Sequence, residues 1–278
     1  MNSGPFSLRR VWLIARMTAL EAARQRAFHL VLLLAAGFVP GALAFSEFNF
    51  GTSELKFIAD FGFGTLAIFG SILTVAVTTQ LFFAELEHRT LLTLLAKPVW
   101  RGEFLLGKWV GIMAVVSAFC LLVTLLLLGV LHFRAQALLQ EHPELSGPDP
   151  GLEHAAVAAA GIAQALKFGL LAAWTLLVAS FARTQLYAVI VSFVVLLICH
   201  LHAVAHLAGA RTDSWMIRSV AVTTTLIFPD FRLFELGERL GMAGAIDAAL
   251  LGRILVYAGL NGAVVGALAV YSFSHREI

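Results

Sequence analysis

The chain is predicted to be an all-α polytopic membrane protein, and three observations carry that prediction. Hydrophobic residues make up 60% of its 278 positions and charged residues only 13%, whereas soluble domains usually carry about a quarter charged residues. Mean hydropathy is +0.89. The apolar residues gather into runs at about 28–45, 61–84, 109–132, 156–182, 185–209 and 253–273, each close to the roughly 20 residues that carry a helix across a ~30 Å hydrocarbon core. Inside lipid, runs of this kind satisfy their backbone groups only as helices. The expectation is a single membrane domain over residues 1–278 with six transmembrane helices, and no internal repeat is evident.

Composition also excludes several classes. A formal net charge of +2 is too small to point to nucleic acid, so the informative quantity is where Lys and Arg stand. Cys120 and Cys199 both fall inside apolar runs, which argues against a disulfide framework or a zinc cluster. The amino terminus lacks the short apolar core of a cleaved signal peptide, because Arg9, Arg10, Arg16, Arg24 and Arg26 interrupt it. It is read as retained.

Residues 1–27 are expected to form a cytoplasmic amphipathic helix at the membrane surface. At 100° per residue Leu8, Val11, Trp12, Ala15, Ala19, Ala22 and Ala23 share one face, and Arg9, Arg10, Arg16, Glu21, Arg24 and Gln25 lie opposite. Such arginines suit anionic headgroups, and Trp12 suits the headgroup boundary. The plainer alternative is a basic flank that only sets topology. With the amino terminus inside, Arg9, Arg10, Arg16, Arg24, Arg26, Arg89, Lys97, Arg101, Lys108, Arg183 and Arg276 are cytoplasmic, 11 of the 19 basic residues. Lys56, Arg134, Arg211, Arg218, Arg232, Arg239 and Arg253 fall outside, among acids. This asymmetry favours both termini in the cytoplasm.

The outer connections differ. Residues 46–60 are short, residues 134–154 carry Pro143, Pro148 and Pro150, and residues 210–252 are the longest. The run TTTLIFPDFRLFELGERLG mixes Phe228, Phe231, Leu233, Phe234 and Leu236 with Asp230, Arg232 and Glu235. It suits short helices that lie at the membrane surface or half re-enter it.

The charged gap at 85–108 separates the second and third runs. Glu85, Glu87, His88 and Arg89 follow an apolar helix, and Lys97-Pro98 stands ten residues on, where proline breaks or bends a helix. The expected form is a short helix over Leu91–Ala96 across the inner face, a turn at Pro98, and a charged approach through Arg101 and Glu103 to the third span. A compact knob of this kind suits a protein partner.

The string ELEHRTLLTLLAKPVWRGEFLLGK is similar to the E-x-E-x-x-T-L…L-L-[AS]-x-P-[VI]-x-R-x-x-[FY]-[LI]-x-[GA]-K signature of the membrane subunits of type-2 ATP-binding-cassette exporters. Within them it resembles the branch that includes the permease for nitrous-oxide-reductase copper-site maturation. The order of features agrees: a basic amphipathic start, six spans, an aromatic outer segment around Phe228-Pro229-Asp230 and a short Phe273…Arg276-Glu277 ending. The resemblance implies a type V exporter-like fold with a cytoplasmic coupling helix and a homodimer or related pair of permeases. It further implies two cytoplasmic ATPase subunits, multi-pass insertion in the inner (cytoplasmic) membrane, and no cofactor. It implies coupling to the partner ATPase for Glu85, Glu87, Arg89, Thr90, Pro98, Arg101, Gly107 and Lys108. Against that stand plainer readings: the charged residues as solvated span flanks, and Gly107 as a small packing residue.

Gly102–Lys108 satisfies G-x-x-x-x-G-K, but Trp109 replaces the Ser or Thr needed at Mg²⁺ and no strand precedes it. Phe104, Leu105 and Leu106 open an apolar helix where a phosphate cradle needs free backbone N–H groups. Nucleotide binding by this chain is therefore rejected; hydrolysis would come from a separate subunit, as the resemblance implies, or from none.

Lys167 stands near the middle of the fourth span, where a charge costs at least ~2.5 kcal/mol without water or a partner. It either lines a pathway, attracting an anionic part of a cargo, or pairs with a carboxylate or carbonyl across a helix interface. Thr78 and Gln80 with Thr74 and Thr79 in the second span, and Asn261 in the sixth, are further pathway candidates that more often bond between helices. Gly262 and Gly266, with Gly259 before them, form a G-x-x-x-G packing pattern. His202 and His206 share a helix face beside His200, but two ligands without a third do not make a metal site. Three classes of function remain: a permease driven by a separate ATPase, an assembly or structural membrane protein without cargo, and an intramembrane enzyme. No H-E-x-x-H, G-x-S-x-G or paired-acid motif supports the last.

Overall fold

The computed structural model describes residues 6–45, 54–87, 100–141, 154–201, 215–240 and 247–275. Among them the secondary structure is entirely helical: α1 (Leu8–Arg24), α2 (Arg26–Phe45), α3 (Glu54–Glu87), α4 (Arg101–Glu141), α5 (His154–Phe181), α6 (Gln185–His200), α7 (Trp215–Ile227), two 3₁₀ turns (Phe231–Phe234 and Leu236–Arg239) and α8 (Ala248–Ser274). Five of these, α2, α3, α4, α5 and α8, are long and apolar enough to cross a membrane. Helix α6 has 16 residues, and the remainder of its apolar run, from 202 onward, lies outside the described residues. So does the expected surface helix at Leu91–Ala96 with Arg89, Thr90 and Pro98.

Helices α3 and α4 contain 34 and 41 residues, which at 1.5 Å per residue makes them roughly 50 and 60 Å long. Both exceed the hydrocarbon thickness, so they carry side chains beyond it. Helix α5 is the centre of the bundle. It packs against α3, α4, α6 and α8, and its buried residues run almost without a break from Gln164 to Leu176. Small residues allow the close approach: a Cβ on Gly161 would fall 2.5 Å from Thr124 Oγ1 of α4. Helix α2 is largely exposed and contains Pro40, which removes one backbone donor and is tolerated at membrane depth when neighbouring groups compensate.

Helix α1 lies along the start of α4. It ends at Gln25, whose extended backbone (φ −67°, ψ 138°) redirects the chain into α2. The helix divides its faces differently from the expected apolar-versus-basic split. Ala15, Thr18 and Ala22 are buried, whereas Leu8, Trp12, Leu13, Met17 and Leu20 are exposed among Arg9, Arg16 and Arg24. The reason is steric: Gly107 and Gly111 of α4 have no side chain and admit α1 at close range, Gly107 against Ile14 and Gly111 against Ala15 and Thr18. A Cβ on Gly107 would lie 2.7 Å from Ile14 Cβ, and one on Gly111 would lie 2.5 Å from the Ala15 carbonyl oxygen. The face bearing Ile14, Ala15, Thr18 and Ala22 therefore meets protein, and Trp12, Leu13, Met17 and Leu20 are left exposed with the arginines.

The other glycine pattern behaves oppositely. A Cβ on Gly259, Gly262 or Gly266 meets nothing within 4 Å, so that strip of α8 has no neighbour within the described residues. Leu255, Val256, Leu260, Val264 and Leu268 flank it, exposed.

Gly111→Val is expected to overpack the α1–α4 contact and destabilise the detergent-solubilised monomer by about 1–3 kcal/mol, with α1 becoming sensitive to limited proteolysis. Gly262→Val in the same monomer should leave the melting temperature unchanged.

Candidate functional site

The first three turns of α4 are joined to four other helices by the side chains of Arg101, Glu103, Lys108 and Trp109. Glu103 is fully buried and caps two helices at once. Its Oε2 accepts the backbone N–H of Trp100 at 3.3 Å, closing the start of α4. Its Oε1 accepts the N–H of Ser7 at 2.6 Å, and Ser7 is the N-cap residue of α1. Arg10 of α1 approaches the same carboxylate at 3.4 Å. Helix starts leave unsatisfied N–H groups and a partial positive charge, so a carboxylate shared between two of them is favoured on both counts.

Arg101 closes the opposite kind of terminus. Its guanidinium donates to the carbonyl oxygens of Phe273 at 2.8 Å and Ser274 at 2.6 Å, at the end of α8, and it lies over the Phe273 ring. A cation at the carbonyl end of a helix complements the helix dipole. Phe104 stacks on Phe273 with centroids 5.9 Å apart.

One turn further along, Lys108 is fully buried. Its ammonium sits 3.1 Å from Glu85 Oε1 of α3, donates to the Leu81 carbonyl oxygen and lies over the Phe104 ring. These contacts occupy the ammonium, which would otherwise be an unpaired buried charge. Trp109 then donates from Nε1 to the Gly169 carbonyl oxygen of α5 at 2.9 Å. The Gly-Lys pair that mimics a phosphate loop in sequence is thus inside a helix: Gly107 is the seat of α1, and Lys108 is the tie to α3.

Of the residues expected to form the coupling element, Glu85, Arg101, Gly107 and Lys108 are brought together at this foot of the bundle. Glu87 is the last residue of α3, and Arg89, Thr90 and Pro98 lie outside the described residues. Glu103 was not among the expected site residues. Its signal was present, because Trp100 and Glu103 stand at the spacing of a helix-capping carboxylate, but the second helix it caps lies 96 positions away in sequence.

A second polar cluster lies in the middle of the bundle. Lys167, fully buried, is 3.2 Å from Glu235 Oε1, and His200 Nε2 is 3.4 Å from the same oxygen. His200 Nδ1 is 2.9 Å from the Leu196 carbonyl oxygen, so both ring nitrogens face acceptors. Lys167 is 13 residues into α5 and His200 is the last residue of α6, so both stand about 20 Å along their helices. Glu235 comes from the aromatic segment between α7 and α8, which therefore dips into the bundle. Pro229 ends α7, and Phe228 stacks on Trp174 at 5.1 Å. Phe231 and Phe234 are fully buried. The Tyr257 hydroxyl of α8 holds the N–H of Asp230 at 3.0 Å, and Lys56 of α3 holds the Glu238 carbonyl oxygen at 3.0 Å.

The remaining pathway candidates do not converge on Lys167. Thr74 and Thr79 bond to carbonyls of their own helix, as does Asn261 to Tyr257. Gln80 is exposed, and Thr78 Oγ1 is buried with no partner among the described residues. His202 and His206 lie outside the described residues, and His200 is engaged with Glu235.

The model of the ABC-2 family transporter proteins matches residues 12–218. The chain belongs to the ABC-2 transporter family. No curated protein matches it. The matched stretch begins inside α1, contains the foot of α4, Lys167 and His200, and stops inside α7. Family membership and the apolar helices make the chain a multi-pass membrane permease subunit of an ABC transporter, a transport subunit rather than an enzyme.

Lys108→Met is expected to leave Glu85 partly buried without its cation and to cost about 3 kcal/mol, the lower end for breaking a buried pair. Glu85→Gln should cost less, and the double variant less than the two together. Chemical denaturation in detergent, analysed as a double-mutant cycle, measures the coupling.

Proposed function

We propose that this permease subunit is the membrane half of an exporter whose energy comes from a separate cytoplasmic ATPase docked at the foot of α4 and the adjoining segment 85–108. The observation that carries the reading is the set of ties made by Glu103, Arg101, Lys108 and Trp109. Through them a displacement at the start of α4 is passed to α1, α8, α3 and α5. A soluble partner that pushes there engages nearly the whole bundle. The mechanism is mechanical: ATP binding to the partner favours one arrangement of the bundle over another, and the difference in free energy is delivered through contacts at the foot.

Both described chain ends support a cytoplasmic placement of the foot. Ser7 and Ser274 each bond to the first turn of α4, so the two termini leave the bundle on one side, and the basic residues are concentrated there. In this arrangement the inner membrane holds the permease, and Trp12 and the arginines of α1 rest at its cytoplasmic face. Two copies pair, with two ATPases beneath them. The unpartnered strip of Gly259, Gly262 and Gly266 on α8 offers a surface for close helix approach. The string at 85–108 resembles the branch containing the nitrous-oxide-reductase maturation permease; that resemblance concerns the coupling segment and assigns no cargo.

Glu87→Ala and Arg89→Ala are expected to abolish stimulation of the partner ATPase while leaving membrane insertion and the yield of purified permease intact. Reconstitution of each variant with the ATPase, followed by phosphate release, measures the effect. Unchanged stimulation in both would place the docking surface elsewhere.

A further inference from the structure

The re-entrant segment is held by a kind of contact different from those around it. Its aromatic side chains supply packing, but within lipid there is no hydrophobic force that distinguishes a side chain against protein from one against acyl chains. The segment carries the Glu235 carboxylate to the middle of the bundle, and there one of its oxygens meets Lys167 Nζ at 3.2 Å and His200 Nε2 at 3.4 Å. Lys167 is fully buried, and the Glu235 side chain is 23% exposed. The cation, Lys167, is fixed in the wall of the bundle on α5, with the His200 ring beside it on α6, and the carboxylate is on the element that can withdraw.

We propose that Glu235 is a positioning residue that latches the re-entrant segment 228–240 between α5, α6 and α8, and that the transport cycle releases this latch. The inference rests on the permease reading above. Withdrawal of the segment strips Lys167 of its counter-charge at membrane depth, which is costly, so the seated and withdrawn arrangements are separated sharply rather than joined by a continuum of small shifts. Lys167 in this arrangement is a catch for the protein's own carboxylate.

The molecule contains its own reporter. Cys199 is fully buried, adjoins His200, and lies in α6, the helix that the 3₁₀ turn Phe231–Phe234 covers. Cys120, the only other cysteine, is removed as Cys120→Ser. In that background, purified permease in lipid nanodiscs is treated with a small cationic methanethiosulfonate reagent, and the rate of Cys199 modification is followed by mass spectrometry. Glu235→Gln is expected to raise the rate about tenfold or more, because local opening grows as the ion pair is lost. Lys167→Met should raise it similarly. The double variant Lys167→Met/Glu235→Gln should label more slowly than the two single effects combined, since no unpaired charge remains. Glu235→Asp, the conservative variant, should fall between wild type and Glu235→Gln and keeps the test decisive should Glu235→Gln not yield folded protein.

Unchanged labelling in the single variants, or strictly additive effects in the double, would overturn the latch. These measurements need no ATPase, so they stand or fall apart from the docking proposal. In the assembled wild-type complex, Cys199 should label faster with the ATPase trapped in its nucleotide-bound state than without nucleotide. Equal rates in the two states, with ATPase stimulation intact, would overturn release of the latch during the cycle while leaving the permease reading in place.

Discussion

Buried charge at the start of α4 is the constraint on which the rest of the structure depends. A helix entering lipid can bury Glu103 and Lys108 only if each finds its partners within the protein. Those partners lie on other helices: the N-cap amide and Arg10 of α1 for Glu103, and Glu85 and the Leu81 carbonyl of α3 for Lys108. Each charge therefore fixes the position of a neighbouring helix. Arg101 adds α8 by satisfying the carbonyls at its end. Apolar packing alone would hold these helices together without specifying their register, because lipid solvates an apolar face about as well as another helix does.

The same logic recurs at mid-membrane with a different consequence. Lys167 is as fully buried as Lys108, but the carboxylate it meets belongs to a short re-entrant segment instead of a long helix. A 3₁₀ turn of four residues has few internal hydrogen bonds and little length over which to pack. The foot of α4 ties long helices to one another, whereas the Lys167–Glu235–His200 cluster ties two helices to a short segment. In the proposed permease mechanism the first is where force enters and the second is where the interior rearranges.

Much of the architecture was legible in the residues. Apolar runs located the long helices, and the mix of aromatic and charged residues around Phe228-Pro229-Asp230 suited short helices at the membrane surface or half re-entering it, of which the structure shows the segment dipping into the bundle. The charged stretch at 85–108 pointed to the foot of α4, and Lys167 stood out as an ion at membrane depth. What the residues did not disclose was which groups meet. Trp100 and Glu103 signal one helix cap by their spacing, but nothing near Glu103 indicates that Ser7 is also its ligand. Gly107 belongs to a family signature and reads as part of a coupling element, yet its local role is to admit α1. The helical wheel of α1 separates apolar from basic residues. It could not reveal that Ile14, Ala15, Thr18 and Ala22 face the protein while Trp12 and the leucines do not, because that depends on two glycines in another helix.

By itself, then, the sequence determined that this is an all-helical membrane protein, where its long helices run, and which positions carry charge at a cost. Hydropathy and helix length decide these matters locally, since each helix in lipid must satisfy its own backbone. Only the tertiary structure decided the pairings: Glu103 with two helix starts, Lys108 with Glu85, and Lys167 with Glu235 and His200. A buried charge specifies that a partner must exist but not where along the chain it lies, because the partner is chosen by the packing of helices that are distant in sequence and adjacent in space.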